Sequence, residues 1–258
     1  MFNIWWFMKI KKEAVYYGTP SQPLSTARSF LAATTVGNYA MFGGGRASGG
    51  YFSSVVDAYS NTLVRQTGVS SLTTSRHVLA ATTVGSYALF GGGRTGSTTY
   101  SDNVNAYDDE LVRYTDVASL GAVKSYLTAT AVANYALFGG GANITGGNIV
   151  YFADVEVYDD MLVKQTGVVP LDVGRYDFAA TTVGDSVIFG GGIKYNEVVT
   201  NTVDAYDSTL VKQETITSLS AQRRGLAATT VGNYALFGGG ENINSTTYYN
   251  TVDVYTVS

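Results

Sequence analysis

A stretch of about fifteen residues recurs five times along the chain, and this repeat constrains the fold more than any local feature. LAATTVGNYAMFGGG occupies residues 31–45, LAATTVGNYALFGGG occupies residues 226–240, and three more divergent copies lie between them. The equivalent positions are separated by 48, 48, 51 and 48 residues: Leu31, Leu79, Leu127, Phe178 and Leu226. A period of this length indicates a chain built from stacked structural units.

Each unit carries four strand patterns in a fixed order. The first is LAATTV, rich in small and β-branched residues, followed by a two-residue turn such as Gly37-Asn38 that tolerates positive φ. The second is an apolar run such as YALF, which ends at a glycine triplet. A third strand ends at a tyrosine in every unit (Tyr59, Tyr107, Tyr158, Tyr206 and Tyr255), and a polar turn leads to a fourth, such as LVRQT. The pattern predicts four antiparallel strands per unit.

Five such units arranged about one axis predict an all-β fold, a five-bladed β-propeller of four-stranded antiparallel blades. Alanine and threonine in the first strand suit the crowded centre of a ring. The fifth unit lacks a fourth strand, and AVYYGTPSQPLSTARSFLAATT near the start follows the same plan as LVRQTGVSSLTTSRHVLAATT. Residues 14–19 are therefore predicted to complete the last blade and close the ring. The predicted organisation is an N-terminal tail, 1–12, and a single propeller, 13–258, with repeats starting near 31, 79, 127, 178 and 226.

These motifs resemble the Kelch repeat of β-propeller proteins. The resemblance rests on a strand that ends in glycines, a VxxY third strand and a basic residue ahead of the first strand, and it covers roughly residues 14–258. It implies a propeller fold and ligand contacts made by the basic residues. The chain departs from the family in two respects: six or seven blades are commoner, and the usual tryptophan after the third strand is replaced by Gln66, Tyr114, Gln165 and Gln213.

Composition limits the partners and the chemistry. The chain of 258 residues has 45% hydrophobic residues, enough for a packed core, and a formal charge of −4. Lys9, Lys11 and Lys12 belong to the first twelve residues, so the remainder is near −7 and nucleic acid is not a predicted partner. The absence of cysteine excludes disulfides, thiol catalysis and cysteine-ligated zinc. Localisation is left open, with an extracellular or surface-associated site favoured over the cytoplasm.

The first residues, MFNIWWFMKIKK, are apolar and then basic, the reverse of a secretory signal. A bilayer span needs about twenty apolar residues, so no transmembrane segment is predicted here. We expect this tail to pack on the body or on a neighbouring chain. The alternative is an anchor at a membrane surface.

The loops that follow the glycine triplets differ from unit to unit and lie on one predicted face. They carry tyrosines among asparagine, serine and threonine: Tyr51, Tyr100, Tyr151, Tyr195 and Tyr248. Tyrosine supplies large contact area at low entropic cost, and loops on a rigid scaffold commonly carry recognition. The sequence predicts a ligand-binding face here; the alternative is that the loops are solvated and their aromatic side chains pack on their own blades.

One basic residue precedes the first strand of every unit, and this set belongs to the same predicted face: Arg28, Arg76, Lys124, Arg175 and Arg223. Five symmetric cations around a channel mouth would attract an acidic peptide, a carboxylate or a sulfated sugar. The alternative is that each cation pairs with a nearby acid or caps a loop.

Catalysis has little support in the sequence. His77 is the only histidine, so a histidine-based metal cluster is excluded, and the Kelch-like copper oxidases need two histidines and a cysteine-linked tyrosine. The glycine triplets lack the lysine of a phosphate loop, and no metal or cofactor is predicted. Paired carboxylates for glycoside cleavage stay open. The predicted function is a non-catalytic binding or scaffold module that contacts a protein. The alternatives are a glycan-binding lectin and a structural component of a cell-surface or virion assembly.

Overall fold

The protein is all-β throughout the region that its computed structural model describes, residues 22 to 257. The regular elements are 24 strands and two short 3-10 helices, Ser48–Gly50 and Tyr195–Glu197. The predicted N-terminal tail, 1–12, and the predicted closing strand, 14–19, lie outside the described residues. The described strands therefore belong to the five repeats only.

The strands of the first two repeats are β1 (Arg28–Ser29), β2 (Ala32–Val36), β3 (Tyr39–Gly43), β4 (Arg46–Ala47), β5 (Val56–Ser60), β6 (Ala80–Val84), β7 (Tyr87–Gly91), β8 (Val104–Tyr107) and β9 (Arg113–Tyr114). Those of the third are β10 (Thr128–Val132), β11 (Tyr135–Gly139), β12 (Ala142–Thr145), β13 (Asn148–Tyr151), β14 (Val155–Asp159) and β15 (Lys164–Gln165). Those of the last two are β16 (Arg175–Tyr176), β17 (Ala179–Val183), β18 (Ser186–Gly190), β19 (Ile193–Lys194), β20 (Val198–Val199), β21 (Val203–Asp207), β22 (Ala227–Val231), β23 (Tyr234–Gly238) and β24 (Val252–Tyr255).

Each repeat forms one antiparallel sheet in which strand order follows chain order. The first to fifth sheets are β2-β3-β5, β6-β7-β8-β9, β10-β11-β14-β15, β17-β18-β21 and β22-β23-β24. Their first two strands form a tight hairpin; in the first sheet, Val36 pairs with Tyr39 across the Gly37-Asn38 turn. Gly37 has φ of 50°, as the predicted turn type requires. The predicted order of the first three strands is confirmed in all five repeats.

The fourth strand is shorter than predicted. It has two residues in the second and third sheets, and it is reduced to the single bridges Tyr59↔Arg65 and Tyr206↔Lys212 in the first and fourth. The reason is the preceding turn: in the third repeat the Asp159 carboxylate accepts hydrogen bonds from the amides of Met161 and Val163, and the leucine between them has positive φ. The Leu-Val pair assigned to the strand therefore belongs to an aspartate-capped turn.

Neighbouring sheets pack face to face through a repeated contact between phenylalanine and glycine. In the first four repeats, the phenylalanine ring of the next sheet fills the space beside the first glycine of the triplet, which has no side chain. A Cβ placed at Gly43 would lie 2.7 Å from Phe90, and one at Gly91 would lie 2.8 Å from Phe138. Four hydrophobic clusters join the sheets in sequence, first to second, second to third, third to fourth and fourth to fifth. Among residues 22–257, no such cluster joins the fifth sheet to the first.

The third glycine of the triplet makes a backbone link to the next repeat in the first four repeats. The amide of Gly45 donates to the carbonyl of Arg76 at 2.8 Å, and the amide of Gly93 donates to that of Lys124 at 2.8 Å. The same bond joins the third and fourth sheets and the fourth and fifth. These glycines have positive φ, 114° at Gly45, so the triplet combines close approach with left-handed backbone.

The tyrosine that ends each third strand fixes the incoming connection between repeats. Its hydroxyl donates to a backbone carbonyl of that connection, as in Tyr107 to Ser70 at 2.9 Å and Tyr158 to Ala118 at 2.8 Å. Its ring meets the phenylalanine of its own sheet edge to face, with 5.9 Å between the centroids of Phe90 and Tyr107. Such a buried hydroxyl needs a partner, and a backbone carbonyl supplies it.

Candidate binding surface on the loop face

The loop face is the side formed by the segments after the glycine triplets and by the residues just ahead of β2, β6, β10, β17 and β22. Short hairpins cover it: β1 pairs with β4, β12 pairs with β13, and β16 pairs with β19, which pairs with β20. In the second and fifth repeats, single bridges between His77 and Arg94 and between Arg224 and Glu241 take the same place. The loops predicted as variable are therefore held against the segment that carries the basic residues.

The five basic residues do not form an exposed ring of charge. The side chains of Arg28, Arg76, Lys124, Arg175 and Arg223 are fully buried. The arginines donate to the backbone carbonyl of the phenylalanine in their own sheet, as Arg76 does to Phe90 at 3.1 Å and Arg223 to Phe237 at 3.0 Å. The expectation of exposed cations is corrected: each side chain runs into its own sheet.

Acids on the third strand of four sheets explain this orientation. Arg28 pairs with Asp57 at 2.8 Å and Arg175 with Asp204 at 2.6 Å. Arg223 pairs with Asp253, and Lys124 lies 3.8 Å from Glu156. The alternative considered from sequence, pairing with a nearby acid, therefore describes the geometry in four of the five repeats. Backbone carbonyls accept hydrogen bonds from the four arginines, which helps to compensate their burial. Lys124 instead lies 3.6 Å from Asp154 and 3.8 Å from Glu156, beyond hydrogen-bond distance.

The pKa of Asp204 illustrates the balance inside these pairs. Burial alone would raise the pKa of this carboxyl, but the charge of Arg175 and a hydrogen bond from Lys212 outweigh burial and hold the pKa below its usual value. The backbone amide of Asp172 also donates to Asp204, at 2.8 Å. The carboxylate thus stays ionised and ties its sheet to the preceding connection.

The second sheet is the exception. The position of the acid holds Asn105, whose side-chain oxygen accepts from Arg76 at 3.0 Å, and the Ser101 hydroxyl accepts from the same guanidinium at 3.3 Å. Burial lowers the pKa of Arg76 to about 10. Arg76 is therefore a buried cation with neutral hydrogen-bond partners.

The predicted tyrosines fall into two groups. Tyr51, Tyr195 and Tyr248 are 76%, 70% and 72% exposed, and Tyr100 and Tyr151 are half-buried. These exposed rings project from loops of three different repeats. The loop face therefore offers large aromatic side chains to a partner.

An aromatic row joins two of these tyrosines to two that the sequence did not single out. The Tyr151 ring centroid lies 6.4 Å from Tyr195 and 5.8 Å from Tyr176, and Tyr176 lies 5.7 Å from Tyr126. Tyr126 and Tyr176 occupy the two positions ahead of the first strand where the five repeats differ in residue type, and that variation was the available sequence signal. We call Tyr126, Tyr151, Tyr176 and Tyr195 the tyrosine row.

The row leads into a cavity of about 220 Å³ formed by residues of four repeats. Its wall includes Tyr100, Tyr126, Asn143, Tyr176, Asp177 and Arg224. Arg224 lies 3.6 Å from Asp177 and 2.8 Å from Glu241. Burial raises the pKa of Tyr176 to about 12, so its phenol stays protonated and able to donate. The cavity presents aromatic surface, hydroxyls and charged groups of both signs.

A larger groove, of about 680 Å³, lies on the outer rim between the third and fourth sheets and involves Gln165 to Asp172 and Thr209 to Glu214. Similar grooves of about 450 Å³ recur between the first and second sheets and beside the third. Because they recur with the repeat, we attribute them to sheet stacking. The cavity on the loop face is instead built from residues that differ between repeats.

His77, the only histidine of the chain, packs against an aromatic ring and a backbone carbonyl. Its ring stacks on Phe52 with 4.5 Å between centroids, and Nδ1 lies 3.1 Å from the carbonyl oxygen of Arg94. Burial lowers its pKa, which favours the neutral imidazole. Among residues 22–257, no three histidine, aspartate or glutamate side chains are grouped closely enough to hold a metal ion. The same residues include no helix of the length and apolarity that a bilayer span requires.

No family model matches the chain, and no curated protein is significantly similar to it.

Proposed function

We propose that the five sheets are the blades of a Kelch-like β-propeller and that the protein is a non-catalytic binding module. The propeller proposal is supported by the stacking of consecutive sheets and by contacts between successive first strands, β2 with β6, β6 with β10, β10 with β17 and β17 with β22. Such contacts run along the inside of a propeller. The closing strand predicted at 14–19 stays a prediction.

The partner that we propose is a protein bound on the loop face. The observation that carries this proposal is the tyrosine row, which runs from exposed Tyr195 to the cavity wall at Tyr126. Tyrosine is enriched at protein interfaces because its ring contributes apolar area and its hydroxyl still finds a hydrogen bond. A cavity of about 220 Å³ has the size to receive a side chain of the partner.

Glycan binding is the second candidate, and the composition of the cavity favours it. Tyr100, Tyr126 and Tyr176 offer rings for stacking on a sugar face, while Asn143, Asp177 and Arg224 bring polar groups to the same wall. Small-ligand sites combine an apolar wall with a few polar groups in this way. The residues come from different repeats, so this candidate has one composite site.

The test compares a row variant with a tyrosine variant away from the loop face. In the row variant, Tyr151→Ala and Tyr195→Ala are combined; the control is Tyr114→Ala, which removes a 40% exposed ring from β9. The purified proteins are immobilised, and captured host proteins are quantified by mass spectrometry. We expect wild type and control to capture the same partner with similar affinity. The row variant should bind that partner at least about tenfold more weakly, because a tenfold change in the dissociation constant corresponds to about 1.4 kcal/mol of binding free energy.

A glycan array with the same three proteins distinguishes the second candidate. Saturable binding to one sugar class that the row variant loses, together with no protein capture, would replace the protein proposal with the glycan proposal. Equal capture by all three proteins would exclude the tyrosine row as the site.

A further inference from the structure

The fifth sheet has an apolar face that is exposed, although the same face is buried in each of the other four repeats. Val252 and Val254 are 51% and 55% exposed. Their equivalents in the fourth sheet, Val203 and Ala205, are 4% and 1% exposed because the fifth sheet covers them. Val231 is likewise exposed, whereas its four equivalents are buried. We call this surface of β22, β23 and β24 the trailing face.

The trailing face also keeps an open space for a phenylalanine ring. The first glycine of the triplet in the first four repeats would place a Cβ 2.7 to 3.1 Å from the phenylalanine of the next sheet. At Gly238 the nearest described atom is 3.6 Å away and belongs to Val252 of the same sheet. Gly232 likewise has no neighbour within 4 Å, whereas Gly37 and Gly85 approach Asp109 and Asp160 of the following repeat.

The first sheet carries the complementary half of this contact. Phe42 is partly exposed, whereas its equivalents in the later sheets, Phe90, Phe138, Phe189 and Phe237, are fully buried against the preceding sheet. Ala33 is exposed and Ala40 is half-buried on the same strands. We call this surface of β2 and β3 the leading face.

Backbone and hydroxyl groups at the two faces match in the same way. Between described neighbours, a ladder of hydrogen bonds runs from Val78 to Phe30, Tyr126 to Val78, Asp177 to Tyr126 and Gly225 to Asp177, each amide donating to the preceding carbonyl. The Thr83 and Thr230 hydroxyls donate to carbonyls of the preceding first strand, those of Thr35 and Thr182. A leading face placed on the trailing face would extend both series, from Phe30 to Gly225 and from Thr35 to Thr230.

We propose that a second copy of this chain covers the trailing face, with its leading face seated there and its Phe42 over Gly238. The contact continues an interface that the chain already makes four times, with the same residue types in the same register. Among residues 22–257, no hydrophobic cluster joins the first sheet to the fifth, so the proposal takes Phe42 from a separate copy. A propeller closed by the chain's own first sheet is the competing outcome of the test. The association is head to tail, and it yields closed rings or longer assemblies because the two surfaces differ.

The first experiment measures mass against concentration for the 258-residue chain, by analytical ultracentrifugation. We expect the weight-average mass to rise above that of one chain as the concentration increases. The key variant is Gly238→Val, whose added side chain has room within one chain but would occupy the position of Phe42. We expect the variant to associate at least tenfold more weakly, because overpacking the contact with Phe42 would reduce the free energy of association by about 1.4 kcal/mol.

A second pair of variants tests the proposal without relying on the substitution at Gly238. Val254→Lys places a charge on the trailing face. Val163→Lys places the same charge at an equally exposed position, 54% against 55%, in the aspartate-capped turn that precedes β15. We expect the first to prevent association and the second to leave it unchanged. A single-chain mass at every concentration would overturn the proposal. Unchanged association of the Gly238→Val variant would also overturn it. A Gly238→Val variant whose monomer has a lower free energy of unfolding would do the same, because that loss would mean that the chain covers its own trailing face.

Discussion

A buried cation lies ahead of the first strand in every repeat, and its partner on the third strand decides how well it is tolerated. In four repeats that partner is a carboxylate, and in the second it is Asn105. A hydrogen bond to a charged group stabilises more than one between neutral groups, and removing one member of a buried pair leaves an uncompensated charge. The second repeat is therefore the place where one substitution adds an ion pair.

We predict that Asn105→Asp raises the free energy of unfolding by about 1 to 2 kcal/mol at neutral pH, because the new carboxylate pairs with Arg76. The measurement is urea denaturation followed by tyrosine fluorescence. The reverse substitution, Asp204→Asn in the fourth repeat, should lower the same free energy by about 3 kcal/mol, because Arg175 loses its paired acid. Stabilisation that does not decline as the pH falls and the new acid becomes protonated would show that pairing is not the cause.

At the scale of the strands, the contact between glycine and phenylalanine sets the spacing of the sheets. Gly91 at the end of β7 lies under Phe138, and any side chain there enters the ring. Gly238 at the end of β23 has the same sequence context but no such neighbour. The two glycines therefore differ in how well they tolerate replacement by a larger residue, because only Gly91 has the phenylalanine ring of an adjacent sheet against it.

We predict that Gly91→Val lowers the free energy of unfolding by about 1 to 3 kcal/mol, the cost of overpacking a core. Gly238→Val should change it by less than about 0.5 kcal/mol at concentrations where the chain is monomeric. Thermal and urea unfolding of both variants, measured side by side, check the difference. Equal losses would mean that the substitution acts through strand propensity rather than through the neighbouring ring.

At the scale of the whole molecule, stability depends on how many neighbours each sheet has. Repeat arrays gain stability from interfaces between adjacent units, and a unit with one interface opens more readily than a unit with two. The third sheet packs on both the second and the fourth, whereas the described contacts of the fifth sheet are with the fourth. The array is therefore expected to open first at its ends.

We predict that amide hydrogens of β11 exchange at least about tenfold more slowly than those of β23 in the monomer. Hydrogen exchange with mass spectrometry, on peptides that cover 135–139 and 234–238, measures the difference. Raising the concentration should slow exchange in β23 selectively, because a second copy would cover that strand. Equal protection at low concentration would contradict the prediction.

The sequence by itself determined the five repeats, the order of their first three strands, the tight glycine turns and the positions of the loops. These features depend on local propensity and on a period that can be read directly. The small and β-branched residues of LAATTV and the turn at Gly37-Asn38 are sufficient to define the hairpin of β2 and β3.

Only the tertiary structure decided where the basic residues point, which tyrosines meet and which sheet faces are covered. Arg28 and its equivalents look like surface cations in the sequence, and their burial depends on acids that lie about 30 residues away, such as Asp57. Tyr126 and Tyr176 belong to different repeats and become neighbours only after the sheets stack. Contacts between repeats join residues distant in the chain, so no local pattern specifies them, and identical motifs at Gly91 and Gly238 acquire different surroundings.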